Sequence, residues 1–266
     1  MLKKNMMKSK LPQKFLFYTA LIVLWQLVFF LGVYVLKVWK PYAVPSPIGV
    51  WDKFLSLVAG KSLLIALVVS LKHAAIGFGL SIVVGLCVGL LITKSRYLNE
   101  NLKPLILGLQ TLPSICWVPF AILWFGLQEE AIIFVIIIGS AFSIAISVES
   151  AIKNVDPIYI RAAKTMGANE KELYYKIILP ASMPSLLAGL KQGWSFAWRA
   201  LMAGEMMSST IGLGQVLLMG RDFADINQVM VVMIIIVLLG TIIEKCIFQN
   251  LELRIREKMG LERDRS

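Results

Sequence analysis

The chain is 266 residues long, 58% hydrophobic and only 16% charged, with 27 lysines and arginines against 16 acidic residues for a net charge of +11. A soluble domain of this length has no use for so much apolar surface, so the composition marks an integral membrane protein of the all-α kind and excludes a water-soluble enzyme. The basic surplus gathers at the termini and in a few short loops, as membrane orientation requires, so nucleic acid is not expected as a partner.

The chain opens with "MLKKNMMKSK" and an apolar run of about twenty residues; no small-residue cleavage site follows, so the run is read as a retained first span rather than a signal peptide. Windows long enough to cross roughly 30 Å of hydrocarbon fall at 15–36, 74–93, 105–126, 131–152, 185–207 and 228–248, giving six expected transmembrane helices. The short apolar segment 62–72 either extends the second span or lies along the interface. Within that second span Gly77, Ser81, Gly85 and Gly89 recur every four residues and leave one helix face nearly bare, which invites close approach by another helix. Pro113 and Pro119 are expected to kink or break the third span. Cys87, Cys116 and Cys246 lie in apolar segments without metal-like spacing and read as small core hydrophobes. No inverted or short internal repeat is discernible.

Lysine and arginine placement orients the spans. Lys3, Lys4, Lys8, Lys10 and Lys14, then Lys94, Arg96 and Lys103, then the loop 161–180, then Arg254, Arg256, Lys258, Arg263 and Arg265 fall on one side, which is therefore expected to be cytoplasmic along with both termini. The expected division is a cytoplasmic segment 1–14, a membrane domain 15–252 and a cytoplasmic tail 253–266. Lys37, Lys40, Lys53 and Lys61 in the first outer loop run against the trend without reversing it.

No chemistry of its own is expected of this chain. "LSLVAGKS" at 55–62 ends like a phosphate-binding loop but lacks its first glycine and precedes no strand–helix unit. His73, the sole histidine, is surrounded by no nucleophile–acid set and is placed near the outer interface; catalytic residues, metal ligands and cofactors are not expected.

The loop between the fourth and fifth spans, "RAAKTMGANEKELYYKIILP" at 161–180, is unusually polar and helix-forming. Asp156 and Pro157 suit a helix start, Gly167 an end, and Tyr159, Ala162, Ala163 and Met166 share one face between them. Asn169 with Glu172 has the spacing of a capping box and starts a second helix, with Leu173, Tyr174, Ile177 and Ile178 as its apolar stripe and Pro180 closing it. Helices of about ten residues are marginal alone, so the pair must pack on the ends of the spans or present a face to a separate cytoplasmic protein.

In the fifth span Lys191, Gln192, Arg199 and Glu205 must face protein or water. Arg199 and Glu205 are six residues apart, roughly 120° around a helix, and do not pair with each other. Glu149, at the inner end of the fourth span, is a candidate partner for a buried cation. These groups either line a translocation path, where Arg199 attracts an anionic solute, or serve as interhelical hydrogen-bond anchors.

The loop resembles the EAA loop of permease subunits of binding-protein-dependent ABC importers: Ala162, Ala163, Gly167, Ile177, Leu179 and Pro180 match its pattern, while Arg161 stands where that pattern has glutamate. "VPSPIGVWDKF", "LPSICWVPFAILWFGLQEE", "ASMPSLLAGLKQGWSFAWRALMAGEMM" and "GLGQVLLMGRDF" resemble the nitrate, sulfonate and taurine branch, and the likeness runs from about Ala43 to Glu252. It implies a type I importer fold whose loop, about 156–184, holds a coupling helix docked on a separate ATP-binding subunit through Arg161, Ala162, Ala163, Gly167, Ala168, Ile177, Leu179 and Pro180. It further implies a homodimer in the cell membrane with two ATPase copies and an extracytoplasmic solute-binding protein. The imported small solute would be a sulfonate, taurine, nitrate, bicarbonate or vitamin precursor. The rival reading is an ion-coupled secondary transporter or channel using Glu205 or Glu149, which has no need of such a loop.

Overall fold

The computed structural model describes residues 2–40 and 42–259. The side chains of 1–12, 14, 15, 256 and 258, and all of 260–266, lie outside the described residues, and with them Lys3, Lys4, Lys8, Lys10, Lys14, Arg256, Lys258, Arg263 and Arg265 of the orientation argument. Every regular element among the described residues is helical. Five helices there are long and apolar enough to cross a membrane, Leu16–Val35, Ser62–Lys94, Glu129–Lys153, Glu170–Met207 and Ile226–Ile255, and the bent pair Arg96–Gln110 with Ser114–Phe125 makes six when counted as one span. The chain divides into two compact units, Met1–Ile65 with Val216–Ile235, and Ala66–Gln215 with Ile236–Ser266.

In the smaller unit, α1 (Leu2–Phe30) passes into a π-helical turn, Leu31–Val35, and then into a loop. The Trp25 indole donates to the Pro45 carbonyl at 3.0 Å. Ser46 caps α2 (Pro47–Ala59), its Oγ accepting from the Gly49 amide at 3.0 Å, with Pro47 at the first helical position where no donor is needed. The Lys53 ammonium meets Asp225 at 2.7 Å, and the Ser46 amide donates to Asn227 Oδ1 at 3.3 Å. Burial pushes the Asp225 carboxyl upward, but the Lys53 hydrogen bond and the Gln228 and Asn227 amides outweigh it and hold the group below its ordinary value.

The larger unit is built around α6 (Glu129–Lys153). On one side lies α3 (Ser62–Lys94), whose small-residue row touches it: a Cβ on Gly85 would stand 2.6 Å from Ile144 and 3.0 Å from the Ala141 carbonyl. On another lies α9 (Leu179–Met207), where a Cβ on Gly189 would stand 2.2 Å from that of Ser147. Gly77 and Gly89 on α3, and Gly193 and Gly204 on α9, repeat this close approach. In lipid there is no hydrophobic force between helices, so close backbone contact over small residues supplies the dispersion energy instead. Ile132, Ile136, Trp194, Trp198, Leu201 and Phe248 fill the space between, with the Phe78 and Trp194 rings edge to face at 5.2 Å.

Three expectations need correction. The third span is two helices, α4 (Arg96–Gln110) and, after a 3₁₀ turn at Ser114–Trp117, α5 (Val118–Phe125), with the pair bent by 100°. Pro113 makes the break, because it can donate nothing back into α4; Pro119 merely starts α5 at its second position. The segment 62–72 follows the first of its two readings, extending the second span as the first turns of α3. The three cysteines are exposed rather than in the core, since a thiol facing lipid loses nothing that a core would give. Finally, Pro180 closes no helix. From Glu170 the chain runs through α8 (Glu170–Glu172) and a π segment, Leu173–Ile178, straight into α9. The proline falls just past the π segment, where the hydrogen-bond ladder changes register and its missing amide is absorbed.

Candidate functional site

The loop joining α6 to α9 folds by its own local rules. Asp156 Oδ1 accepts from the Ile158 amide at 2.8 Å and Pro157 opens α7 (Pro157–Thr165). Gly167 takes φ +85°, and the Gly167 and Ala168 amides donate to the Lys164 and Ala163 carbonyls, both at 3.0 Å. This is the paired closure of a helix end through a left-handed residue, which glycine adopts without strain. Asn169 and Glu172 then form the reciprocal capping box, with bonds of 2.9 and 3.3 Å. α7 is thereby folded back against the π segment, enclosing a shallow cavity of about 240 Å³ lined by Ala163, Met166, Gly167, Ala168 and Ile177.

The expected apolar stripe of α7 divides. Ala163 is buried inward, whereas Ile158 and Tyr159 are each 58% exposed and Met166 is 79% exposed, with Ala162 open between them. Arg161 and Lys164 flank this face, also exposed, and among the described residues neither meets a carboxylate. Leu179 and Ile177 are half-buried and Pro180 is exposed at the foot of α9. The arrangement offers a small, apolar, positively flanked helix on a short turn.

The four charged groups expected in the spans do not converge. Glu205 is fully buried: Ser70 Oγ donates to its carboxylate at 2.7 and 2.8 Å, the Gly214 amide donates at 3.0 Å, and His73 Nδ1 stands 3.0 Å away. Ser70 Oγ in turn accepts from the Leu213 amide at 2.8 Å, so the start of α10 (Leu213–Asp222) is pinned to α3 and α9. His73, expected near an interface, is wholly buried, with Nε2 lacking a hydrogen bond 3.8 Å from Glu129. Sequence reasoning missed this cluster; its signal was Ser70 and His73, three apart on one face of α3. Glu149, also buried, accepts from Lys103 and Lys153 at 2.8 Å each and from Asn99 at 3.0 Å, which joins α4 to α6. Lys191 is half-buried and bridges at 2.8 Å to Glu244, in the π segment Glu244–Gln249 that follows α11 (Ile226–Ile243). Lys191 also lines a cavity of about 230 Å³, whereas Arg199, with no carboxylate partner among the described residues, lines one of about 350 Å³ beside the α4–α5 break.

Comparison with known proteins agrees with this geometry. Residues 81–257 match the family of binding-protein-dependent transport system inner membrane components. The chain is 36% identical over 193 residues to a putative ABC transporter permease protein of Methanocaldococcus jannaschii, covering 72% of each chain. It is 31% identical over 221 residues to the putative aliphatic sulfonates transport permease protein SsuC of Bacillus subtilis, covering 83% of this chain and 78% of that one. Its fold superposes on a chain of the MetNI methionine ABC transporter in an inward-facing crystal form with a TM-score of 0.60 at 21% identity, over 73% of this chain and 96% of the other. The chain therefore belongs to the family of binding-protein-dependent transport system inner membrane components: it is a type I permease subunit of an ATP-driven ABC importer.

Proposed function

We propose that this permease works as a homodimer, with two copies of a separate ATP-binding subunit on its cytoplasmic side and one external solute-binding protein delivering a small solute of the sulfonate, taurine or nitrate kind. The observation that carries the reading is the loop at 156–180, where Gly167 closes α7 and leaves Ile158, Tyr159, Ala162 and Met166 facing outward. Such a face belongs in a cleft of another protein. Arg161, Ala162, Ala163, Gly167 and Ala168 form the docking helix and its turn, while Ile177, Leu179 and Pro180 carry its motion into α9. Arg161 selects an acidic lip on the partner. Both termini are cytoplasmic, the membrane domain is 15–252, and the segments 1–14 and 253–266 flank it.

Mechanistically, ATP closes the ATPase pair, the docked loops follow, and the spans switch between two packed arrangements that ATP binding biases. Lys191, Glu149 and Glu205, each with partners already in place, hold helices together as the bundle rocks, and Arg199 faces the route. The test is co-purification and uptake. The permease should retain the ATPase through affinity purification and drive ATP-dependent uptake in proteoliposomes. Ala162→Trp, which fills the docking face, should lose most of both. Uptake that persists without any ATPase would overturn the reading.

A further inference from the structure

Resting on the reading of this chain as an importer permease, we propose that the permease itself holds a binding site for one small oxyanion-bearing solute, gripped by Arg199 in the cavity at the α4–α5 break. The Arg199 guanidinium is held from two sides: Nε donates to the Ser195 carbonyl at 3.0 Å, and the group lies over the Phe196 ring at 4.8 Å from its centroid. The two Nη groups have no hydrogen-bond partner among the described residues. By contrast Lys72 meets Glu129, Lys103 and Lys153 meet Glu149, and Lys191 meets Glu244. A pre-oriented guanidinium with its fork empty matches a pair of oxygens on a sulfonate, carboxylate or nitrate.

The rest of the cavity suits the same occupant. Gln110, Thr111 and Ser114 supply polar groups, and Trp117 and Phe142 supply aromatic wall for a short apolar remainder. The backbone from 111 to 113 is non-helical within an otherwise membrane-spanning pair, and such backbone is tolerated in a bilayer only where it is enclosed by protein or lines a wet cavity. A Cβ on Gly139 would stand 2.8 Å from that of Ala200 and 3.4 Å from that of Ser114, so the glycine keeps the cavity wall thin and the helices close. At about 350 Å³ the space is near the small end for ligand sites and admits a solute of only a few heavy atoms. Selectivity for negative charge is thus shared between the external protein and the permease.

The experiment uses the permease–ATPase complex in phosphatidylcholine nanodiscs, without the external protein, and radiolabelled ethanesulfonate as probe. Saturable binding is expected, displaced by nitrate and taurine and not by the neutral isostere ethyl methyl sulfone. Arg199→Gln should weaken binding at least tenfold while the complex still elutes intact, and Arg199→Lys should recover part of the loss. Absence of binding to the unmodified complex, equal displacement by the neutral sulfone, or unchanged affinity in Arg199→Gln each overturns the proposal. Loss of probe binding when phosphatidylglycerol is added to the nanodiscs also overturns it, by assigning the cavity to lipid. Failure of the importer reading looks different: the ATPase would not be retained and ATP would drive no uptake, whatever the probe does.

Discussion

Glu205 and Arg199 lie six residues apart on one helix and meet opposite fates. Glu205 is satisfied from every side, and removing its carboxylate would orphan the Ser70 hydroxyl and the Gly214 amide in a dry interior, at about 1–3 kcal/mol. Glu205→Ala is therefore expected to lower the melting temperature of the detergent-solubilised complex, and Glu205→Gln, which keeps an acceptor and the volume, to lower it less. A Glu205→Ala protein as stable as the parent but inactive in uptake would instead make Glu205 a pathway group. Arg199 is the costly residue: a cation within a span is unfavourable, by up to roughly 2.5–3.5 kcal/mol at a span's centre, and water or an anion in the cavity offsets that cost. Gly167 has open space around it, so only its φ of +85° resists substitution. Gly167→Val should cost about 1–2 kcal/mol locally and uncouple ATP hydrolysis from uptake, read as ATPase activity retained with transport lost. The Lys53–Asp225 bridge carries its own pH signature. Because the folded Asp225 carboxyl sits below its ordinary value, its contribution is full above that value and fades as pH falls through the lowered one; hydrogen exchange in α2 should quicken only in acid. Capping residues such as Asp156, Asn169 and Glu172 were legible because their partners lie within three positions. Glu205 was not, since Ser70 and His73 are 135 and 132 residues away.

At the scale of elements, small-residue spacing was the most informative sequence signal. The row Gly77, Ser81, Gly85 and Gly89 was read as a packing face, and it lies on α6; the matching glycines of α9 pack on the same helix. Gly85→Leu would force a side chain into Ile144 and the Ala141 carbonyl. Overpacking of this kind costs about 1–3 kcal/mol, so the variant should melt earlier and express at reduced level, with Gly79→Leu, which meets open space, as the neutral control. Prolines were the least legible. Pro113 ends a helix, Pro119 starts one, and Pro180 and Pro184 sit within a continuous run, because what a missing amide does depends on whether the neighbouring ladder can change register. The break at Pro113 was expected from the proline itself, whereas the unbroken passage through Pro180 was not, because composition carries no information about that register.

For the whole molecule, the spans, the loop and the importer family could all be read from one chain, since hydropathy and a spaced motif need no partner to be visible. The cavity beside Arg199 could not, because it exists only once 110–117, 138–142 and 196–199 are brought together. The run from Glu170 to Met207 has a mechanical meaning. Its 38 residues form one helical run of roughly 57 Å with the Gly167 turn at one end and Glu205 near the other. A tilt of about 5° of the whole run about its foot would displace the head by about 5 Å. Under the proposed docking, nucleotide chemistry performed outside the bilayer would reach its far side as a sideways step about as long as one helical turn.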